Sequence, residues 1–484
     1  MNHQPSLKRN FVLSTLYRVL CILTPLLTTP YISRVLGPEG VGIYSYTSSI
    51  QLYFSIFAAL GTASYGAREI AQSRADISKR SKLFWEIELL TVLTSLICLG
   101  VWLVWSFLND GYRIYYLSLS LELLATMMDV SWFFVGMEQF QYTVLQNSLF
   151  KLLGTVMIFV LVRDSGDTAL YVVIMSLTSF LGNISMWIYL PKLVRRIPLH
   201  QLRILRHFRE TVIYFIPTSA TSVYTVLDKT LIGAITKSES ENGYYELASK
   251  IINAAKAVTF AGVNSVLESR NAWLFSEKKY QEIKEQINTS LDYIMFMGIG
   301  ICFGLIAVAN RFVPIFFGDG FEKTTQLLKL MSPLIVIVGV SGCLGSQYYN
   351  PAGLRKVSTK FIIAGACANF VLNLALIPRY RSIGATIATL IAEALISALF
   401  LKNCDGYVQA KCFAGYLWKK LLAGIIMLIV IKTSDLFLPS GLPMLIIQIM
   451  FGAAVYMLAL FAMNDSFAVG VLASKLKNRF RQNT

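Results

Sequence analysis

Five of the chain's 43 lysines and arginines interrupt stretches that are otherwise apolar: Arg18, Lys151, Lys229, Lys250 and Lys256. A cation so placed is costly if it faces hydrocarbon. It is well suited to hold an anion that has given up its hydration, lysine as a point charge and arginine as a planar fork. The same stretches carry acids: Glu122, Asp129, Asp228, Glu246, Asp292 and Glu393. Such a carboxylate either neutralises a neighbouring cation or carries a coupling ion, and nothing in the sequence selects one acid for the second task. Asp228 and Lys250 would lie at similar depth on consecutive antiparallel helices, as would Asp129 and Lys151, so pairing competes with ligand binding there. No acid on an adjacent helix matches the depth of Arg18 or Lys256. Arg18 sits about eight residues into its stretch, roughly 12 Å deep, too far in to reach the interface easily. The anion-binding candidates are therefore Arg18, Lys229, Lys250 and Lys256, with Lys151 behind them.

These residues are intramembrane only if the stretches around them span a bilayer, and composition says that they do. Apolar residues make up 55% of the 484-residue chain and charged residues 14%, too few charges to cover a water-facing surface. Apolar runs of about 20 residues, enough to cross roughly 30 Å of hydrocarbon, recur about fourteen times. They lie near 10–33, 40–66, 83–107, 113–136, 141–163, 168–190, 211–236, 243–266, 287–310, 325–349, 357–377, 383–402, 413–436 and 441–463. The runs are continuous and do not alternate with period two, which predicts helices and not a barrel. With a cytoplasmic N-terminus, 28 of the basic residues fall on the cytoplasmic side, ten on the other and five inside helices. The densest clusters are Arg68 to Lys82, Lys192 to Arg209, Arg270 to Lys284 and Lys475 to Arg481. That asymmetry predicts both termini in the cytoplasm, and it explains the net charge of +16 without a nucleic-acid partner. Glu86 and Glu88, near the cytoplasmic end of the third run, are expected at the interface.

Enzyme chemistry finds no footing here. The chain contains no GxxxxGK[ST], HExxH or CxxC, and its seven cysteines lack zinc-site spacing. His3, His200 and His207 all lie outside the apolar runs. External connections are short, with no room for a catalytic domain. No metal or organic cofactor is expected, and any driving force would come from an H⁺ or Na⁺ gradient or from substrate supply and removal. Pro25, Pro217 and Pro333, inside the runs, mark kinks.

The longest polar stretch between runs is Pro191 to Glu210, whose basic residues alternate with Leu193, Val194, Ile197, Leu202, Ile204 and Leu205. That pattern suits an amphipathic helix on the cytoplasmic membrane surface. A weak internal repeat flanks it: GIYSYTSSI at Gly42–Ile50 matches GYYELASKI at Gly243–Ile251. RVLG at Arg34–Gly37 precedes the first and TLIG at Thr230–Gly233 the second. The expected organisation is an N-terminal lobe at 1–197, the amphipathic linker at 198–210 and a C-terminal lobe at 211–403. An extra helix pair at 411–463 and a basic tail at 464–484 follow. Six helices return the chain to its starting side, so the lobes would be related by an axis along the membrane normal, with a cavity between them.

PYISRVLGPEGVGIYSYTSSI at Pro30–Ile50 and LGTASYGAREIA at Leu60–Ala71, with LDKTLIG at Leu227–Gly233, carry a family resemblance. The chain resembles the polysaccharide-repeat flippases of the Wzx type, within the multidrug/oligosaccharidyl-lipid/polysaccharide exporter superfamily. The resemblance implies an all-α integral membrane fold of MATE/MOP-like form, two six-helix lobes around a central cavity. It implies movement of an undecaprenyl-pyrophosphate-linked oligosaccharide from the inner to the outer leaflet of a bacterial cytoplasmic membrane, by alternating access. Glycosyltransferases and a polysaccharide polymerase would be partners, together with membrane lipids. The buried cations would then replace the hydration of the pyrophosphate. Arg34 and Arg68 belong to the motifs but lie at helix ends, where interfacial anchoring explains them equally well. Tyr44, Tyr46 and Tyr53, with Gln51, can stack on and hydrogen-bond to sugar rings, although helix packing and the aromatic belt are the stronger account. Rival readings are a lipid II flippase, a multidrug antiporter of the same superfamily, and a membrane polysaccharide polymerase or ligase. A pump for organic cations would line its cavity with acids, and a polymerase would carry a large external loop.

Overall fold

The computed structural model describes residues 7–470 apart from 409, 438 and 440. Helix α1 (Leu7–Ala59) has 53 residues; straight, it would be about 80 Å long, more than twice a hydrocarbon core. It is instead two helices joined at Gly37, whose φ of +65° suits a residue without a Cβ. Helices α2 (Thr62–Ser73), α3 (Ile77–Leu108), α4 (Arg113–Met127), α5 (Ser131–Gly136), α6 (Phe140–Leu161), α7 (Thr168–Ser185) and α8 (Phe208–Thr236) follow. Then come α9 (Glu239–Lys256), α10 (Gly262–Ser276), α11 (Tyr280–Phe317), α12 (Glu322–Met331) and α13 (Leu334–Leu344). Helix α14 (Arg355–Lys402) is broken at Arg381, and α15 (Ala410–Ser434) and α16 (Leu442–Ala462) close the bundle. Among the described residues, nine continuous helical stretches are long and apolar enough to cross a membrane. Two of these, Val19–Ser73 and Arg355–Lys402, each contain two of the predicted runs. Pro333 stands at the break between α12 and α13; the side chain of Pro217 lies outside the described residues.

The stretch between α7 and α8 is not the amphipathic helix expected of it. It passes through short 3-10 turns at Met186–Lys192, Leu199–Gln201 and Ile204–His207. Pro191 and Pro198 remove two N–H donors and disfavour helical backbone just before them. The segment is pinned to α3: the Arg80 guanidinium donates to Leu193 O at 2.8 and 3.0 Å, and Trp85 Nε1 to Arg195 O at 3.0 Å.

Contacts divide the chain into two units, Met1–Gly243 and Tyr244–Thr484. In the first, α4 and α6 pack on α7, and α1 packs on α3, α4 and α6. Its core includes an aromatic cluster in which Phe84 stacks on Trp132 and meets Phe133 edge-on. In the second, α11 runs through the centre, against α12, α13, α15 and α16.

Within the first unit the two repeat segments begin at glycines that touch. A Cβ on Gly42 would stand 1.7 Å from Glu239 O, and one on Gly243 would stand 1.9 Å from Pro38 O. Each glycine thus faces the carbonyl four residues before the other. The crossing is reciprocal, and only residues without a Cβ allow backbones so close.

Candidate functional site

In the first unit, α6 places Asn147 and Lys151 one turn apart, and α7 does the same with Ser179 and Asn183, so each helix shows two polar groups on one face. With Glu122 from α4 and Tyr17 from α1 they line a cavity of about 300 Å³. Ser179 Oγ donates to Glu122 Oε2 at 3.0 Å, Asn183 Nδ2 to Ala125 O at 2.8 Å, and Lys151 Nζ to Cys21 Sγ at 3.4 Å. The acid that shares a cavity with Lys151 is therefore Glu122. The alternative pairing with Asp129 is not formed, because α4 stops at Met127 and the chain turns. Asp129 Oδ1 there accepts from Ser131 N at 2.9 Å, at the start of α5. Arg18 lies on α1, but its side chain is outside the described residues.

Glu86 and Glu88 are not interfacial: both are buried. The 3-10 turns before α8 close over Glu86, which accepts from Arg203 N at 2.8 Å and pairs with Arg206 at 2.7 Å and with His207 Nε2 at 2.9 Å. Tyr65 hydroxyl lies 2.7 Å from the other ring nitrogen of His207. Arg206 Nε also lies 3.1 Å from Nε2 of His207, and a neutral ring donates at one of its nitrogens and accepts at the other. Glu88 is 1% exposed, beside Asp129 and Trp132.

Asp228 and Lys229 are adjacent on α8, with Asp228 buried and Lys229 O accepting from Asn242 Nδ2 at 2.9 Å. Tyr53 hydroxyl and Ser49 Oγ both meet Thr230 Oγ1, at 3.0 and 2.9 Å, tying α1 to α8. Tyr44 packs edge-on against Tyr171 and Tyr46 against Tyr112, and Gln51 Nε2 donates to Ser55 Oγ at 2.7 Å. Tyr44, Tyr46 and Tyr53 thus take part in packing between elements, and Gln51 bonds within its own helix. Arg34 is exposed, and so is Arg68, whose Nη1 donates to Tyr214 hydroxyl at 2.7 Å.

In the second unit, Lys250 Nζ stands 3.5 Å from Glu246 Oε1, one turn earlier on its own helix. Lys256 is the last residue of α9, immediately before a π-helical turn at Ala257–Ala261. Such turns recur where a helix is adapted to a site. Glu393 on α14 is the carboxylate that acts on its ammonium, a neighbour that matching depths on consecutive helices does not reveal. Asp292 is tied up: Lys420 Nζ lies 2.5 Å from its Oδ1 and 3.0 Å from Asp465 Oδ2, with the lysine fully buried. Lys420 looks in sequence like a twin of Lys419 at a helix start. Neighbouring helical residues point about 100° apart, and Lys419 donates instead to Asn464 O at 2.9 Å. Near this triad, α11, α15 and α16 enclose an apolar cavity of about 340 Å³.

A helical bundle with lipid-length spans and charges held inside them defines an integral membrane protein, and its fold is similar to that of solved MOP-superfamily transporters. The solved structure of the lipid II flippase MurJ in an inward closed conformation aligns with a TM-score of 0.75. That alignment covers 94% of this chain and 99% of that one, at 16% identity. The family model for polysaccharide biosynthesis proteins matches residues 7–267, and the chain belongs to that family. A protein of Escherichia coli (strain K12) named as an O-antigen transporter is 26% identical over 408 residues, covering 82% of this chain and 96% of that one. A Haloferax volcanii protein named as a low-salt glycan biosynthesis flippase, Agl15, is 24% identical over 236 residues, 48% of this chain and 49% of its own.

Proposed function

We propose that the chain flips an undecaprenyl-pyrophosphate-linked oligosaccharide, the repeat unit of a capsule, O-antigen or other surface polysaccharide, from the inner to the outer leaflet. The observation that carries this is positional. Lys229, Lys250 and Lys256, together with Arg18, all fall within residues 7–267, the part that matches the polysaccharide family. A pyrophosphate crossing a low-dielectric region needs fixed cations in place of water. The apolar cavity beside α15 and α16 suits a hydrocarbon tail, with Phe296, Met427 and Tyr456 among its walls.

Alternating access of two lobes moves the head group, and a cation gradient drives the return. Glu393 is the carboxylate we assign to coupling, because it acts on Lys256. An ion taken up by the acid removes its pull on the ammonium and frees that group for phosphate, and release of the ion restores the attraction. Asp292, held by Lys420, is a poorer carrier. The distribution of basic residues supports a cytoplasmic-membrane location with both termini inside, and the polymerase and glycosyltransferases of the glycan pathway are its working partners.

The test is genetic. Deleting the gene in its own host should abolish the surface polysaccharide and accumulate lipid-linked repeat units in the inner leaflet. Normal polysaccharide with no accumulation would refute the proposal.

A further inference from the structure

The half-open cavity lined by α1, α4, α6 and α7 has a lining that selects a class of ligand. Its volume is about 300 Å³, room for one sugar ring with its hydroxyls. Its walls hold one carboxylate, Glu122, one ammonium, Lys151, and the amides of Asn147 and Asn183. A metal ion is disfavoured, since a single carboxylate faces it and the lysine repels it. An anion meets the opposite obstacle at Glu122. A hydrocarbon would strip water from all four polar groups and return no hydrogen bond.

A neutral polyhydroxylated ring satisfies every one of them. Each sugar hydroxyl both donates and accepts, so one can donate to Glu122 while its neighbour accepts from Lys151 or an asparagine amide. Tyr17 and Phe150, also in the lining, offer aromatic faces to the apolar side of the ring. The partners already in place orient the site: Ser179 holds one oxygen of Glu122, Ala125 O one amide hydrogen of Asn183, Cys21 the ammonium of Lys151 and Tyr17 the side chain of Asn147, and each of these four groups keeps further hydrogen-bonding capacity for a ligand.

We infer that this cavity, wholly within the first unit, is a monosaccharide subsite that reads one sugar of the transported repeat unit. The inference rests on the flippase reading for the identity of its ligand. Glu122 then acts as a sugar acceptor and not as a carrier of the coupling ion, and Lys151 as a donor to a hydroxyl and not to pyrophosphate.

The test uses the full chain in lipid nanodiscs. The probe is the repeat-unit oligosaccharide released from the host's own surface polysaccharide, free of lipid and phosphate. Saturation-transfer NMR should detect binding to the wild type. Glu122→Gln, which keeps the side-chain shape and an oxygen for Ser179, and Asn147→Ala should each raise Kd at least about tenfold, the loss expected for hydrogen bonds of this kind. The exposed control Glu277→Ala should bind as the wild type does. Thermal unfolding identifies a variant that fails to fold, and the other then carries the test. Wild-type flipping of the lipid-linked repeat in liposomes is read in parallel. Flipping with no binding of the released sugar, or with binding unchanged in both variants, overturns the subsite and leaves the flippase reading intact. Sugar binding that is lost in the variants, without any flipping by the wild type, overturns the flippase reading and keeps the subsite.

Discussion

Replacing Gly42 or Gly243 with alanine tests the reciprocal crossing where the two repeat segments meet. The added Cβ would sit 1.7 Å from Glu239 O in the first case and 1.9 Å from Pro38 O in the second. Contacts under 3.0 Å are essentially never seen for real Cβ atoms, so the two backbones must part by more than about 1 Å. Opening a packed contact by that distance forfeits a quarter to a half of each facing dispersion well, and overpacking of this kind costs about 1–3 kcal/mol. Two effects compete, because alanine is better than glycine inside a helix by about 1 kcal/mol. The carbonyl is rigid backbone and cannot swing aside, so the clash should win and each variant should lose up to about 2 kcal/mol. The double variant is the sharper test. Once the helices have parted for one methyl the second enters more cheaply, so the combined loss should fall short of the sum by at least about 0.5 kcal/mol. Reversible unfolding in detergent measures all three. A raised midpoint for either single variant, or strict additivity in the double, would refute the reciprocal contact.

Lys420→Met should destabilise the protein by about 3–5 kcal/mol, because it leaves Asp292 and Asp465 buried without their common cation. Adding Asp292→Asn and Asp465→Asn should recover most of that loss in the same unfolding assay, and no recovery would show that packing and not charge is at stake. Arg18→Ala and Lys256→Ala should each abolish surface polysaccharide while inserted protein stays at normal levels; normal polysaccharide in both would sink the cationic pathway for pyrophosphate. Single cysteines placed near Lys237 and near Lys279 should label from opposite sides of the membrane, and same-side labelling would break the helix count.

The architecture was legible because its cause is local. Lipid demands about 20 apolar residues per crossing whatever the neighbours are, so the runs could be counted one at a time, and Gly37 falls in the gap between the first two. The repeat was legible for a similar reason: Gly42 and Gly243 recur because the same backbone approach is made twice. The partners of the charges were harder to read. Pairing Asp129 with Lys151 assumed an unbroken fourth helix, but the chain turns after Met127, and Lys151 shares a cavity with Glu122 while donating to Cys21. The charge of Glu393 acts on Lys256 from a helix far away in sequence, which depth-matching between consecutive helices cannot anticipate. Glu86 looked interfacial because its burial depends on a proline-interrupted linker folding back over α3. Lys420 was hidden beside Lys419, since one-dimensional charge counting cannot tell an inward from an outward lysine.

The most direct measurement reconstitutes the purified chain in liposomes that carry fluorescent undecaprenyl-pyrophosphate-linked repeat unit from the host pathway in one leaflet, with lipid II in parallel liposomes. The account predicts movement of the repeat-linked lipid across the bilayer, accelerated by an imposed proton or sodium gradient, with lipid II moving more slowly. No movement of the repeat-linked lipid under either gradient, or movement of lipid II in its place, would contradict it.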